Sequence, residues 1–407
     1  MNERNRLLSV DEALAIVLGE ARPLSAEQVP LLEGLGRVLA EDVYAEGDIP
    51  PLDNSAMDGY ALRAGDTMAA SRGNPVVLRV SHNLAAGHTT DLEVTPGTAM
   101  RIMTGAPIPP GADAVVPFEE TTADGDRVAV VRACAPGQNT RLAGEDVRRG
   151  ELALPRGCEI RPQEVGMLAA LGRAEVAAVR RPRVGLLATG DEIVGIEAPL
   201  EAGKIRNANS YSNAAQVLRC GGVPVLLGIA RDQVSEISAR VRGALAQGLD
   251  LLITSGGISA GDFDVVKKVL AAEGEVTFWQ VRMRPGKPLA YGRVGGVPFL
   301  GLPGNPVAAM VSFELFARPL ITRMLGKTIL GAPAIEATLA EDVRTRAGFR
   351  HYLRVSLEER AGRTFARLAG EQGSGILLSM VRAQGLAVVP EDSPPLKAGD
   401  AVQVILI

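Results

Sequence analysis

The stretch RRPRVGLLATGDEIV, residues 180–194, decides the fold. Val184 to Ala188 form an unbroken apolar run, the pattern of a strand covered on both faces. A polar loop, TGDE, follows at once. The same alternation recurs downstream: SYSNAAQVLRCGG (210–222) reads as a helix, VPVLLGIA (223–230) as a strand, SEISARVRGALAQG (235–248) as a helix and DLLITSGG (250–257) as a strand. After those come helix DVVKKVLAAEG (264–274), strand VPFLGLPG (297–304) and helix NPVAAMVSFELFARPLI (305–321). Strands alternating with helices predict an open, mostly parallel α/β sheet with right-handed crossovers over residues 181–329.

Working outward, the textures change. Ser9 and Glu12 form a capping-box pattern, so a helix is expected to start near Val10. A second helix is expected over Glu33 to Leu39, and a third begins at Pro162, a residue suited to a first helical turn. Residues 1–45 and 150–180 are therefore expected to form a discontinuous helical, linking domain. Between them, residues 46–149 carry short β-branched runs separated by Gly/Pro turns, the signature of an inserted β-rich domain. Residues 330–407 return to alternation in HYLRVSLEE (351–359) and AVQVILI (401–407), hence a small C-terminal β domain.

Bulk properties fit a multidomain globular chain. Its 407 residues exceed one core at ~100–200 residues per domain. With aromatics at 3%, aliphatic residues and alanine must fill the cores. A net charge of −4 argues against nucleic acid as the main partner, which usually needs a basic face. Cys134, Cys158 and Cys220 share no metal-type spacing and point to reduced thiols in a cytoplasmic protein. Acidic residues interrupt the N-terminal apolar run, so no signal peptide is expected, and no stretch is long and apolar enough to predict a membrane span.

Ligands of open α/β sheets bind beyond the carboxyl ends of the strands. Three expected strand ends carry unusual loops: TGDEIV (189–194), SGGISAGDFD (255–264) and LPGNP (302–306). Such a rim of backbone amides and helix N-termini suits anions. Gly256, Gly257 and Gly261 are placed where backbone approaches a ligand, with hydroxyls from Ser255 and Ser259. Carboxylates at the same turn, Asp262 and Asp264, would repel a phosphate unless Mg²⁺ lay between; capping of the next helix is the simpler reading for Asp262. Glu192 and Asp232, at other strand ends, could join Asp264 in an acidic cluster. RMRPGKP (282–288) supplies Arg282, Arg284 and Lys287 on a stiff loop suited to an oxyanion. Ser374, in a glycine turn before an apolar segment, could cap a helix or contact an anion. The loop LDNSAMDGYALRAGD (52–66) is unusually polar; a self-capping turn is one reading of it.

Together, DNSAMDGYA, RIMTGAPIP, AGEDV, ATGDEI, TSGGISAGDFD, RPGKP and GLPGNPVA occur in one order over most of the chain. The sequence resembles the molybdopterin molybdenumtransferase (MoeA) family, to which the gephyrin E domain also belongs. The resemblance implies a MoaB/MogA-like α/β domain, a small C-terminal β-barrel and an elongated homodimer. It implies insertion of molybdate into adenylylated molybdopterin, with Mg²⁺-dependent release of AMP and molybdenum cofactor. By resemblance, Asp58, Thr104, Asp146, Glu192, Asp232, Asp264 and Lys287 are functional, with Glu192, Asp232 and Asp264 as metal ligands. Pro303, Gly304, Asn305 and Pro306 join the binding loops. Arg350 and Ser374 match two tail residues linked to molybdate. Arg284 stands where members often have Lys, which keeps the charge; Gln280 stands where some have Lys, which loses one. The resemblance further implies that Asp58 and Thr104 act across the dimer, and transient contact with molybdopterin adenylyltransferase and molybdoenzyme chaperones. Competing readings are adenylyl transfer to molybdopterin, against which the long N-terminal part and the tail speak, and a gephyrin-like scaffold.

Overall fold

The computed structural model describes residues 7–19, 21–257 and 274–407. The chain forms two compact units: Met1–Gln28, Gly36–Ala40 and Ala177–Ile407 make one, Val29–Leu35 and Glu41–Val176 the other.

In the first unit, helix α1 (Val10–Gly19) begins where its capping residues dictate. The Glu12 amide donates to Ser9 Oγ at 3.1 Å, and the Ser9 amide donates to Glu12 Oε2 at 2.8 Å. The α/β part follows with β1 (Arg183–Thr189), α2 (Ala208–Cys220), β2 (Val223–Ala230), α3 (Val234–Leu245) and β3 (Leu251–Ser255). It continues with β4 (Gly274–Gln280), β5 (Pro288–Val294), β6 (Val297–Leu302) and α4 (Pro306–Ser312). The sheet order is β2-β1-β3-β6-β5-β4. Strands β2, β1, β3 and β6 run parallel, whereas β5 and β4 are antiparallel additions.

The apolar run that suggested a doubly covered strand behaves so. Val184 and Leu186 join a core with Val217 of α2 and Val307 of α4, while Leu187 joins another with Ile237 and Val241 of α3. Leu251 and Ile253 against Leu252, and Leu300 and Leu302 against Phe299, repeat the split on β3 and β6.

Helix α4 continues through a π-helical turn, Phe313–Ala317, into a helix at Arg318–Met324. Glu314 in that turn is buried. It accepts from Gln216 Nε2 at 2.8 Å and Arg318 Nε at 2.5 Å, and pairs with Arg219. This ties α2 to α4 behind the loop that opens α4.

Past α4 the chain builds β7 (Ala334–Leu339), β8 (Arg350–Arg360), β9 (Arg363–Leu368), α5 (Leu377–Arg382), β10 (Gly385–Val389) and β11 (Ala401–Leu406). The order β8-β9-β7-β11-β10 closes on itself through β10–β8 pairing, giving a five-stranded barrel. Val355, Ala366, Ala387 and Val404 fill it. The short strand Met283–Arg284 pairs in parallel with Arg350–His351 and so fastens the 282–287 segment to the barrel.

The second unit holds the inserted β-rich module. Its six-stranded mixed sheet runs Ala114–Pro117, Gly59–Leu62, Thr98–Ile102, Val76–Leu84, Arg127–Val130, Thr121–Asp124. Tyr60 and Leu62 face one core and Ala61 the other. The helix expected at Pro162 is present as Pro162–Ala170.

The helix expected over Glu33 to Leu39 is not formed. A single 3-10 turn spans Leu31–Gly34, and Leu39 instead bridges to Ala178. Gly36 takes φ +75°, a conformation outside the right-handed helix, and the Arg37 guanidinium donates to Val179 O at 2.9 Å.

Replacing Glu314 by Gln leaves Arg318 and Arg219 facing a neutral amide. Because Arg219 is half exposed, the expected cost lies near the low end for a broken buried pair, about 3 kcal/mol. Urea unfolding of Glu314→Gln with an unchanged m-value is the measurement.

Candidate active site

The parallel strands end in register. Ala188 pairs with Ser255, and Ser255 with Leu302, so the loops after β1, β3 and β6 leave the sheet at one rim. The chain crosses from β2 on one side of β1 to β3 on the other, making this rim a topological switch point. Gly256 has φ +92°, and a Cβ there would lie 2.3 Å from the Thr189 carbonyl oxygen. A Cβ at Gly304 would lie 3.6 Å from the Cα of Gly256, an ordinary contact. Gly256 thus serves loop-to-loop packing and also lines the rim.

A cavity of about 770 Å³ opens over this rim. From the sheet it is lined by Thr189, Glu192, Asp232, Ser255, Gly256 and Gly257, and by the loop Pro303, Gly304, Asn305 and Pro306. Arg284 and Lys287 line it from the segment fastened to the barrel, and Asp342, Arg344, His351, Arg354, Gln372 and Ser374 from the barrel itself. Twelve of the residues expected at the site, from six stretches far apart in sequence, are thereby brought to one hollow; Ser259, Gly261 and Asp264 lie outside the described residues.

The loops are cross-braced. Asn209 Nδ2 donates to Gly304 O at 2.8 Å, Asn305 Nδ2 to Ser374 Oγ at 2.9 Å, and the Val307 amide to Ser374 O at 3.1 Å. The Gly256 amide donates to Leu302 O at 3.2 Å. The amides of Gly256 and Val307 are therefore already engaged.

Arg354 is the sharpest of the cationic side chains lining the cavity. It is 1% exposed, yet its guanidinium meets only neutral acceptors: Ser379 Oγ at 3.1 Å, Glu371 O at 3.2 Å and Gly373 O at 3.1 Å. Burial lowers its pKa below the ordinary guanidinium range. Among the described residues no carboxylate pairs with Arg354, Arg284 or Lys287. Arg284, Lys287 and Arg354 thus line one cavity with no carboxylate partner among the described residues.

Arg350 is the contrast and a correction. It does not line the cavity. Its guanidinium forms a two-pronged pair with Asp11, 2.8 Å on each prong, and reaches Glu391 Oε2 at 3.1 Å. Its charge is consumed in fastening α1 to the barrel. Arg354 was legible only as a lone arginine inside the otherwise apolar run of β8.

Glu192 and Asp232 follow the ends of adjacent strands β1 and β2 and line the same cavity. Among the described residues no cluster of three metal-type side chains occurs. The two carboxylates are hard oxygen donors of the kind Mg²⁺ takes. Thr189 Oγ1, buried in the lining, has no hydrogen-bond partner among the described residues, which leaves it a donor and acceptor for a bound molecule.

Asp58, Thr104 and Asp146 belong to the second unit. Asp58 Oδ1 accepts from the Thr104 amide and from Thr104 Oγ1, both at 2.7 Å. These bonds hold Asp58 below the usual carboxylate range, so it is an anion throughout the neutral range. The rest of the polar loop is partly self-braced: Ser55 Oγ donates to Met57 O at 2.5 Å, and Asp53 Oδ1 accepts from the Ala143 amide at 2.7 Å. Asp146 is exposed.

Comparison with known proteins agrees along the whole chain. Residues 8–172 match the model of the MoeA N-terminal region (domain I and II), residues 185–323 a probable molybdopterin binding domain, and residues 336–407 the MoeA C-terminal region (domain IV). Molybdopterin molybdenumtransferase 2 of Mycobacterium tuberculosis is 40% identical, covering 97% of this chain and 98% of that protein. Molybdopterin molybdenumtransferase of Bacillus subtilis is 37% identical, covering 100% and 96%. A crystal structure of the molybdopterin biosynthesis MoeA protein from Pyrococcus horikoshii superposes with a TM-score of 0.84 at 34% identity, covering 99% of this chain and 100% of that one.

Thr104→Ala removes the hydroxyl donor to Asp58. Loss of a bond to the charged form raises the acid's pKa toward the ordinary carboxylate value of about 3.9. A carboxyl-carbon NMR titration of Asp58 in the variant is expected to show that upward shift.

Proposed function

The chain belongs to the MoeA family of molybdopterin molybdenumtransferases, and we propose that its cavity takes adenylylated molybdopterin together with molybdate and releases AMP and molybdenum cofactor. The protein is a transferase of molybdenum cofactor biosynthesis that inserts molybdenum into molybdopterin. The finer reading, an adenylylated substrate cleaved with Mg²⁺, rests on one observation above all. Arg284, Lys287 and Arg354 line one cavity without carboxylate partners among the described residues, and Glu192 and Asp232 line it too.

Each part then has a physical role. Arg354 and Lys287, with the Ser374 hydroxyl, hold molybdate; a fixed guanidinium and an ammonium match a compact dianion. Arg284, on the same segment as Lys287, adds a third cation that faces molybdate. The glycine-packed loops and the Pro303–Pro306 turn wall off the nucleotide half. Glu192 and Asp232, with Asp264, would hold Mg²⁺, whose charge would offset that of the phosphoanhydride. Positioning and fixed charge, rather than a nucleophilic side chain, supply the rate in this scheme. We also propose a cytoplasmic homodimer in which Asp58, Thr104 and Asp146 of one protomer serve the cavity of its partner, with transient contacts to molybdopterin adenylyltransferase and molybdoenzyme chaperones.

Incubation with adenylylated molybdopterin, Mg²⁺ and molybdate is expected to release AMP stoichiometrically with cofactor formed; cofactor without AMP would exclude the adenylylated substrate. Losing one charge-assisted bond should raise the molybdate KM at least about tenfold in Arg354→Ala and in Lys287→Ala. Arg350→Ala should lower the melting temperature and leave that KM near its starting value. Mixing inactive Asp58→Ala and Asp264→Ala subunits should restore activity if the site is shared, and none would return if it is not.

A further inference from the structure

Arg284 enters the cavity on an exposed, flexible side chain, and the groups that aim it are not carboxylates. Its guanidinium carbon lies 4.9 Å from the ring centroid of Phe349. Arg346 lies over the same ring at 5.7 Å. The backbone fixes this meeting: Met283 pairs with Arg350 and Arg284 with His351, and the Arg350 amide donates to Arg282 O at 3.0 Å. Phe349 is thereby delivered next to the strand that carries Arg284. The ring itself is half-buried and does not line the cavity.

We propose that Phe349 is a positioning residue, a platform whose ring face orients the Arg284 guanidinium for an oxyanion in the cavity. The proposal rests on the reading of the cavity as an oxyanion site. A carboxylate could orient an arginine equally well, as Asp11 and Glu391 do for Arg350, but it would cancel the charge and occupy the N–H edges. A ring face does neither. It attracts the cation through its quadrupole while the planar fork keeps its donors at the rim, directed away from the ring. The long side chain also gives up its rotational freedom before the ligand arrives rather than upon binding.

The test uses the full-length protein, sodium molybdate as the varied substrate, and Phe349→Leu, which keeps apolar bulk and loses the ring. A cation–π contact at a partly exposed site corresponds to a rise in molybdate KM of about threefold to fivefold. kcat and the melting temperature should hold. Phe349→Tyr, which retains a ring face, should keep the original KM. In an Arg284→Ala background Phe349→Leu should add nothing, because the platform acts only through that guanidinium. An unchanged KM in Phe349→Leu, an equal defect in Phe349→Tyr, or an undiminished effect without Arg284 would each overturn the proposal. Should Phe349→Leu fail to fold, Phe349→Met replaces it in the same cycle. An unsubstituted protein that neither saturates with molybdate nor releases AMP would overturn the oxyanion reading as well; an active one with an indifferent Phe349 overturns the platform alone.

Discussion

The approach of the Gly256 backbone to the Thr189 carbonyl is the contact on which the cavity depends. A side chain at 256 would put its Cβ 2.3 Å from that oxygen, so the loops after β1 and β3 meet only because nothing is there. The loop after β6 packs beside Gly256 at ordinary contact distance. The sheet brings three strand ends to one rim, and the missing side chain at Gly256 lets the first two loops stack. Asn209, Asn305 and Ser374 then pin the stack to α2 and to the barrel. Behind it, Glu314 binds α2 to the helical segment that follows the Pro303–Pro306 turn. The rigidity of the stack comes from packing and neutral hydrogen bonds, which leaves the charged side chains available.

How those charges are held separates structure from function. Arg350 and Arg354 lie four residues apart on β8. Asp11 and Glu391 neutralise the first, and it acts as a clamp. Carbonyls and a hydroxyl solvate the second, so it remains a buried positive charge at a cavity wall. Burying a cation without a counter-ion is costly, and an arrangement that does so is favourable only when an anion completes it. Molybdate and a phosphoanhydride are such anions. The acids lining the same cavity would repel them, and the divalent cation of the proposed scheme would offset that repulsion.

The sequence by itself determined the fold class. Unbroken apolar runs at Val184–Ala188 and Leu251–Ile253, each followed by a polar loop with glycine, specify strands covered on both faces, because burial on two sides removes the need for alternation. Ser9 with Glu12 determined a helix start, since capping is settled within four residues. The ordered motifs determined the family. Local texture failed at Glu33–Leu39, where helix-forming residues lost to a glycine with positive φ and to Arg37 reaching a carbonyl far along the chain. Only the tertiary structure decided which arginine of β8 serves the cavity, which loop amides are already engaged, and that Phe349 lies under Arg284. Each of those turns on which partner lies within about 3–5 Å, and partners distant in sequence leave no periodic trace for a reader of residues.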